Sequence, residues 1–274
     1  MSDTALKDVR SHFAFGENWA SYARTIDSDR IAEAEKGLLR LAGDGELAGK
    51  RFLDIGCGSG LHALAALRLG VAEVVAVDID PNSVATTRNV LEENAPGKRW
   101  RAEEVSVFTL TPDTFGLFGV VYSWGVLHHT GSMVEAIERA SALVAPGGVF
   151  IVALYRKTRL CWAWKIEKRW YAKASARAQR LAQGVYIALM RLLFALRWRD
   201  FNAYVANYRG NRGMNYRHDV HDWMGGHPYE SISPAEVATL MERLGFEPVR
   251  SFTQPGGLGL SGSGCDEFVY RRRA

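Results

Sequence analysis

FLDIGCGSG, from Phe52 to Gly60, is the stretch on which the reading of this 274-residue chain turns. RFLDI (Arg51 to Ile55) has the apolar character of a short buried strand. Glycines at 56, 58 and 60 then let the backbone turn tightly beneath a ligand. LHALAALRLG continues as a helix closed by Gly70. Strand, glycine-rich turn and helix N-terminus, in that order, open a βαβ unit.

The same alternation spreads outward from this stretch. EVVAVDID (Glu73 to Asp80) reads as a second strand, and Pro81 starts a helix through about Glu93. A weakly patterned third strand lies near Trp100 to Val105, and GVVYSWGV (Gly119 to Val126) is a fourth. Met133 to Val144 is helical, and PGG at Pro146 to Gly148 turns into GVFIVALY, the fifth strand. Beyond Tyr155 the alternation stops. Arg156 to about Arg199 reads as helical and basic, and a polar, aromatic stretch follows to Glu230. Ser233, with Pro234 and Glu236 behind it, caps a helix that ends at Gly245. Phe246 to Thr253 and Glu267 to Arg271 read as two last strands joined by PGGLGLSGSG.

The expected fold is α/β: a doubly wound, Rossmann-like, mostly parallel seven-stranded sheet with a basic helical insertion after strand 5. Four segments are expected: an N-terminal helical lid (1–49), a core (50–155), a basic aromatic insertion (156–230), and a C-terminal helix with the last two strands (231–274).

Apolar residues at 47% and charged residues at 23% exclude a disordered or collagenous chain. No charge-free apolar run of spanning length occurs, and MSDTALKDVRSHF lacks the apolar centre of a signal peptide. Cys57, Cys161 and Cys265 are widely spaced and odd in number, which fits reduced thiols. The expected location is cytoplasmic, with a peripheral place at the membrane allowed by the insertion. From Arg156 to Arg217 eleven Arg and four Lys face only Glu167 and Asp200, a local +13 within a chain of net +4.

Two carboxylates discriminate among nucleotide-like ligands. The glycines alone would equally suit a nicotinamide dinucleotide. Asp54, at the tip of the first strand, would repel a pyrophosphate but suits an ammonium group. Asp78 ends the second strand, where a carboxylate accepts hydrogen bonds from ribose hydroxyls. A nucleoside carrying an amino acid, S-adenosylmethionine, satisfies both.

On these residues the chain resembles the class I S-adenosylmethionine-dependent methyltransferases, of the type that methylates quinone precursors. FLDIGCGSG matches the first motif of that family and AVDIDP its second; VVYSWGVLHHT and LVAPGGVFIVALY match later ones. Gly119 stands where the family often has aspartate. The resemblance implies that Asp54, Gly56, Cys57, Gly58 and Gly60 surround the methionine moiety. It further implies that Asp78 holds the ribose, Ile79 flanks the adenine, Ser106 and Val107 lie at the adenine edge, and Trp124 borders the cofactor. The implied product is S-adenosylhomocysteine.

WGVLHH (Trp124 to His129) sits at the carboxyl end of the fourth strand, where open α/β sheets hold ligands. His128 and His129 are the candidate catalytic bases; the competing role is packing beneath the cofactor. HFAFGENWASYA (His12 to Ala23) is either a lid whose Phe13, Phe15, Trp19 and Tyr22 shield the donor, or an amphipathic helix packed on the sheet.

MNYRHDVHDWMGGHPYE (Met214 to Glu230) reads as a polar loop, either shaping the acceptor pocket or held by its own hydrogen bonds. Candidate acceptor contacts are Trp19, Tyr22, Tyr155, Tyr216, His218, Asp222 and Tyr229. No metal is expected, since no diagnostic ligand spacing occurs.

The insertion itself admits three readings. It is a lid or dimer surface, a contact for an anionic membrane or amphiphilic acceptor, or a polyanion site. Nucleic acid ranks below lipid because no known module is present and the apolar content is high. In the lipid reading Arg191 and Arg197 reach headgroups while Leu192, Leu193 and Phe194 enter the acyl boundary.

The expected activity is methyl transfer to a small-molecule or lipid-like acceptor by in-line displacement. Two alternatives stay open. One is an RNA or protein methyltransferase using the basic insertion; the other is a non-catalytic cofactor-binding or membrane-associated scaffold.

Overall fold

A computed structural model describes residues 15–212, 216–254, 257–259, 262 and 264–274. Its centre is a seven-stranded sheet in the order β3-β2-β1-β4-β5-β7-β6. The strands are β1 (Arg51–Ile55), β2 (Glu73–Asp78), β3 (Trp100–Glu104), β4 (Phe118–Trp124), β5 (Val144–Tyr155), β6 (Phe246–Phe252) and β7 (Cys265–Arg272). β1 to β5 run parallel, and β7 enters antiparallel between β5 and β6.

The helices are α1 (Phe15–Ala23), α2 (Ser28–Ala42), α3 (Leu61–Arg68), α4 (Pro81–Asn94), the single turn α5 (Pro112–Phe115) and α6 (Met133–Ala142). They continue with α7 (Cys161–Tyr171), α8 (Ala176–Leu196), α9 (Phe201–Arg212), α10 (Tyr216–Gly225) and α11 (Pro234–Arg243).

Alternation along each strand divides the core into two layers, because successive side chains leave opposite faces of a sheet. Phe52, Val74, Ala76, Val120 and Ile151 pack under α2 and α3, while Leu53, Val75, Val121, Phe150 and Val152 pack under α6 and α11. Both faces being covered accounts for the nearly continuous apolar runs of β1, β2 and β4.

Local chemistry sets the helix ends. Asp80 caps α4, with Pro81 in the first turn, and Ser233 and Glu236 close a capping box on α11. β5 begins earlier than its apolar run. Val144 pairs with Phe118 before Pro146 to Gly148 bulges, and Val149 then pairs with Val120.

Between β5 and α11 the chain forms α7 to α10 around a separate small core of Tyr171, Met190, Phe201, Tyr208, Tyr216, Val220 and Met224. This corrects the loop expected over Met214 to Glu230, since Tyr216 to Gly225 is helical. Tyr216, Val220 and Met224 recur at four-residue steps and supply the buried face that the surrounding His and Asp residues disguise. Leu193 and Phe194 face this core rather than outward.

Candidate active site

The turn after β1 is held from two sides. The Gly56 and Cys57 amides donate to the Val77 carbonyl at 2.7 and 3.1 Å, tying the turn to β2. Thr87 on α4 donates to the Gly58 carbonyl at 3.2 Å. Gly56 sits at φ 77° with Val126 above it, and an added Cβ would lie 2.4 Å from a Val126 methyl. Gly58 sits at φ 52°, and its Cβ would lie 3.1 Å from the Trp19 ring. Both positions therefore demand glycine for their conformation, and Gly56 demands it for space as well.

Trp19 reaches Gly58 because α1 docks across the mouth of the turn. The Gly16 amide donates to Asp80 at 3.0 Å, and α1 packs on α4 and touches α10. Tyr22 meets the Trp19 ring edge-on at 5.9 Å. Phe13 lies outside the described residues, as do the side chains of Phe15 and His218.

Asp54 and Asp78 face this turn from the ends of β1 and β2. Asp78 accepts from the amides of Gly58 and Asp80, each at 3.0 Å. Burial pushes its carboxyl up to about 6, against the pull of those amides. Asp54 is buried, and no described residue donates a hydrogen bond to its carboxylate. Burial, and then the neighbouring Asp78, push it up to about 7. A buried carboxylate without a donor is costly. An ammonium group beside the turn would remove that cost.

Asp78 keeps lone pairs free for hydroxyl donors beyond its two amides. Ile79 is half-buried beside it. The Val105 amide donates to the Asp78 carbonyl at 2.9 Å, which brings Ser106 and Val107, both buried, to the end of β2. Asp54, Asp78 and the glycine turn thus fit a ligand with one cationic amine and a vicinal diol. The fit rests on the undonated Asp54 carboxylate.

At the end of β4, Trp124 is exposed, and its indole N–H donates to Glu267 on β7 at 2.9 Å. His128 is completely buried, and its Nδ1 accepts from the Tyr155 amide at 3.2 Å. Its carbonyl accepts from the Glu230 amide at 3.0 Å. Burial, then the charges of His129 and Lys168, hold the imidazole well below its usual range, so it is neutral with the hydrogen on Nε2. His129 Nδ1 lies 2.8 Å from the Pro228 carbonyl and therefore donates to it. The two histidines tie the β4 turn to the end of β5 and to residues 226–230.

The Tyr155 ring lies tilted against His128 with centroids 3.9 Å apart and meets Tyr229 at 5.3 Å. The Tyr229 hydroxyl donates to Cys161 Sγ at 3.2 Å. Asp222 is half-buried on α10, and Tyr216 packs between Phe201 and Tyr208 inside the helical insert. Tyr155 and Tyr229 thus gather near His128, whereas Tyr216 belongs to the insert's own core.

One residue here escaped the sequence reading. Lys168 on α7 is fully buried, with Nζ 3.8 Å above Trp223 and 5.4 Å from the Tyr229 ring centre. Among the described residues it has no hydrogen-bond acceptor. Burial draws its ammonium down to about 7. The signal was the spacing Trp164, Lys168, Tyr171, which puts the lysine on the apolar side of α7.

A family model described as a methyltransferase domain matches residues 26–251. Ribosomal protein L11 methyltransferase of Xylella fastidiosa is 42% identical over 109 residues, 40% of this chain and 33% of that protein. Its counterpart from Stenotrophomonas maltophilia is 39% identical over 110 residues, again 40% and 33%. The chain thus spans about a third of the length of the curated relatives it matches.

Magnesium protoporphyrin IX methyltransferase from Synechocystis, solved with bound S-adenosylmethionine, superposes with TM-score 0.52 at 14% identity, over 89% of this chain and 80% of that one. An N-methyltransferase from Bradyrhizobium japonicum, solved with S-adenosylhomocysteine, gives 0.51 at 15%, over 92% and 91%. These two likenesses are of fold.

Proposed function

The chain belongs to the methyltransferase-domain family, and from that membership we propose that it transfers a methyl group from S-adenosylmethionine to a small-molecule or lipid-like acceptor. The observation that carries the reading is the buried Asp54 carboxylate beside the glycine turn, to which no described residue donates a hydrogen bond. Asp54 receives the ammonium of the methionine moiety and Asp78 the ribose hydroxyls, and the glycine turn carries the backbone tightly past both carboxylates. Ile79, Ser106 and Val107 border the adenine. Trp19, lying on Gly58, supports α1 as a lid that excludes water.

When bound, the cofactor supplies an activated methyl group on a sulfonium. Most of what the chain adds is alignment at near-attack distance. His128 serves as a positioning residue in this reading, because the lone pair a base would use already accepts from Tyr155. Tyr155, Tyr229 and the helices over 156–230 form the acceptor side.

A protein acceptor is the second reading. It is favoured by the similarity to ribosomal protein L11 methyltransferases, together with the basic insertion. Calorimetry with S-adenosylmethionine, S-adenosylhomocysteine and NAD tests the cofactor: the first two bind and NAD does not. Binding of NAD alone overturns the assignment. S-adenosylhomocysteine release with lipid-like phenols and with ribosomal protein then separates the acceptors, and turnover of the protein alone would replace the leading reading by the second.

A further inference from the structure

α8 is apolar on two opposite sides. Tyr186, Ile187, Met190, Leu193 and Phe194 turn inward onto α9 and α10. Leu181, Val185, Leu189, Leu192 and Leu196 point to solvent at 71, 62, 46, 55 and 69% exposure. At about 100° per residue these five fall within one stripe roughly 80° wide. Trp162, Ile166 and Trp170 form a second exposed apolar row at four-residue steps on α7. Trp198, just past the end of α8, is 98% exposed. Large apolar side chains exposed in rows along a helix mark an interaction site, since a helix apolar all round is ordinarily buried.

The charges around the stripe select its occupant. α8 carries Arg177, Arg180 and Arg191 and no acidic residue. Arg197 and Arg199 follow it, and Lys165, Arg169 and Lys173 are exposed on and after α7. A second copy would set one segment of +13 against another, so self-association is opposed. Nucleic acid would satisfy the cations but leave the leucine row wet. Among the described residues no helix is long and apolar enough to cross a membrane. An anionic lipid surface accepts the apolar stripe, the flanking cations and the interfacial tryptophans together.

We propose that the exposed face of α8 docks in the plane of an anionic lipid surface, with Leu181, Val185, Leu189, Leu192 and Leu196 entering the acyl boundary. The arginines flanking the stripe lie at headgroup level. This inference does not depend on methyl transfer, and its test reads lipid binding alone.

The test is co-sedimentation of the full chain with phosphatidylglycerol-containing and with pure phosphatidylcholine vesicles, at low and high salt. Binding is expected on the anionic vesicles, at least about tenfold weaker on the neutral ones, and reduced by salt. Val185→Glu/Leu192→Glu is expected to abolish it while leaving the melting curve and cofactor affinity unchanged. Arg177→Glu/Arg180→Glu should weaken it by about 25-fold or more, at about fivefold per basic residue.

Equal binding to both vesicle types, or binding that survives both double variants, overturns the proposal. So does a lipid-free dimer that Val185→Glu/Leu192→Glu dissociates, or salt-sensitive RNA binding without vesicle binding.

Discussion

Cofactor affinity should report the protonation of Asp54. Burial and the nearby Asp78 push this carboxyl up to about 7, so the free protein holds it largely protonated below that pH. An ammonium-bearing ligand needs the carboxylate, and binding must then release the proton. Affinity is expected to level off above about pH 8 and to be about tenfold weaker at pH 6, roughly 1.4 kcal/mol. Asp78, raised to about 6, adds about a further factor of two at the lower limit.

Stability carries the opposite sign. A carboxyl raised in the folded state binds more protons than in the unfolded one between about pH 4 and 7, so the free protein loses stability as pH climbs that window. The loss is of order 4 kcal/mol, and the ligand should restore it.

Calorimetry with S-adenosylmethionine at pH 6, 7 and 8, in buffers of differing ionisation enthalpy, measures affinity and proton release together. About half a proton should leave at pH 7. Asp54→Asn should weaken binding by about 10- to 100-fold at pH 8, the loss of a charge-assisted hydrogen bond, and flatten the profile. A flat wild-type profile with no proton released, or wild-type affinity in Asp54→Asn, refutes the reasoning.

Three further outcomes are expected. Gly56→Ala should destabilise the fold by about 1–3 kcal/mol in denaturant melts, since its Cβ would meet Val126 at 2.4 Å with φ at 77°; Gly147→Ala, which has open space, separates conformational strain from this clash. His128→Ala should lower the melting temperature markedly and reduce turnover no more than His128→Gln does, because the ring braces the Tyr155 amide; a turnover loss of about 100-fold or more without destabilisation would restore a general base. Glu167→Gln/Lys168→Met should raise the melting temperature by a few degrees, replacing two buried ionisable groups that lack hydrogen-bond partners among the described residues; a fall would mean the ammonium is engaged.

The parallel sheet, the glycine turn and the two strand-end carboxylates were legible in the sequence. Each depends on short-range pattern: a buried parallel strand must be continuously apolar, and a backbone turn tight enough for a ligand must be glycine. The ladder then brings Asp54 and Asp78 to neighbouring strand ends, with Asp54 opposite Ala76 in register. Only the tertiary structure decided what surrounds those residues. Trp19 covers Gly58 across 39 residues of chain, Val126 closes over Gly56, and the Tyr155 amide takes the His128 lone pair. No local pattern encodes such contacts, because they arise where separate elements meet. The sequence likewise marked residues 156–199 as helical and basic without telling which side of α8 turns inward. The small core around Met190 and Phe201 claims Leu193 and Phe194 and leaves Leu181, Val185, Leu189, Leu192 and Leu196 facing outward. The physical reason is that a helix apolar on both sides buries whichever side its partners cover.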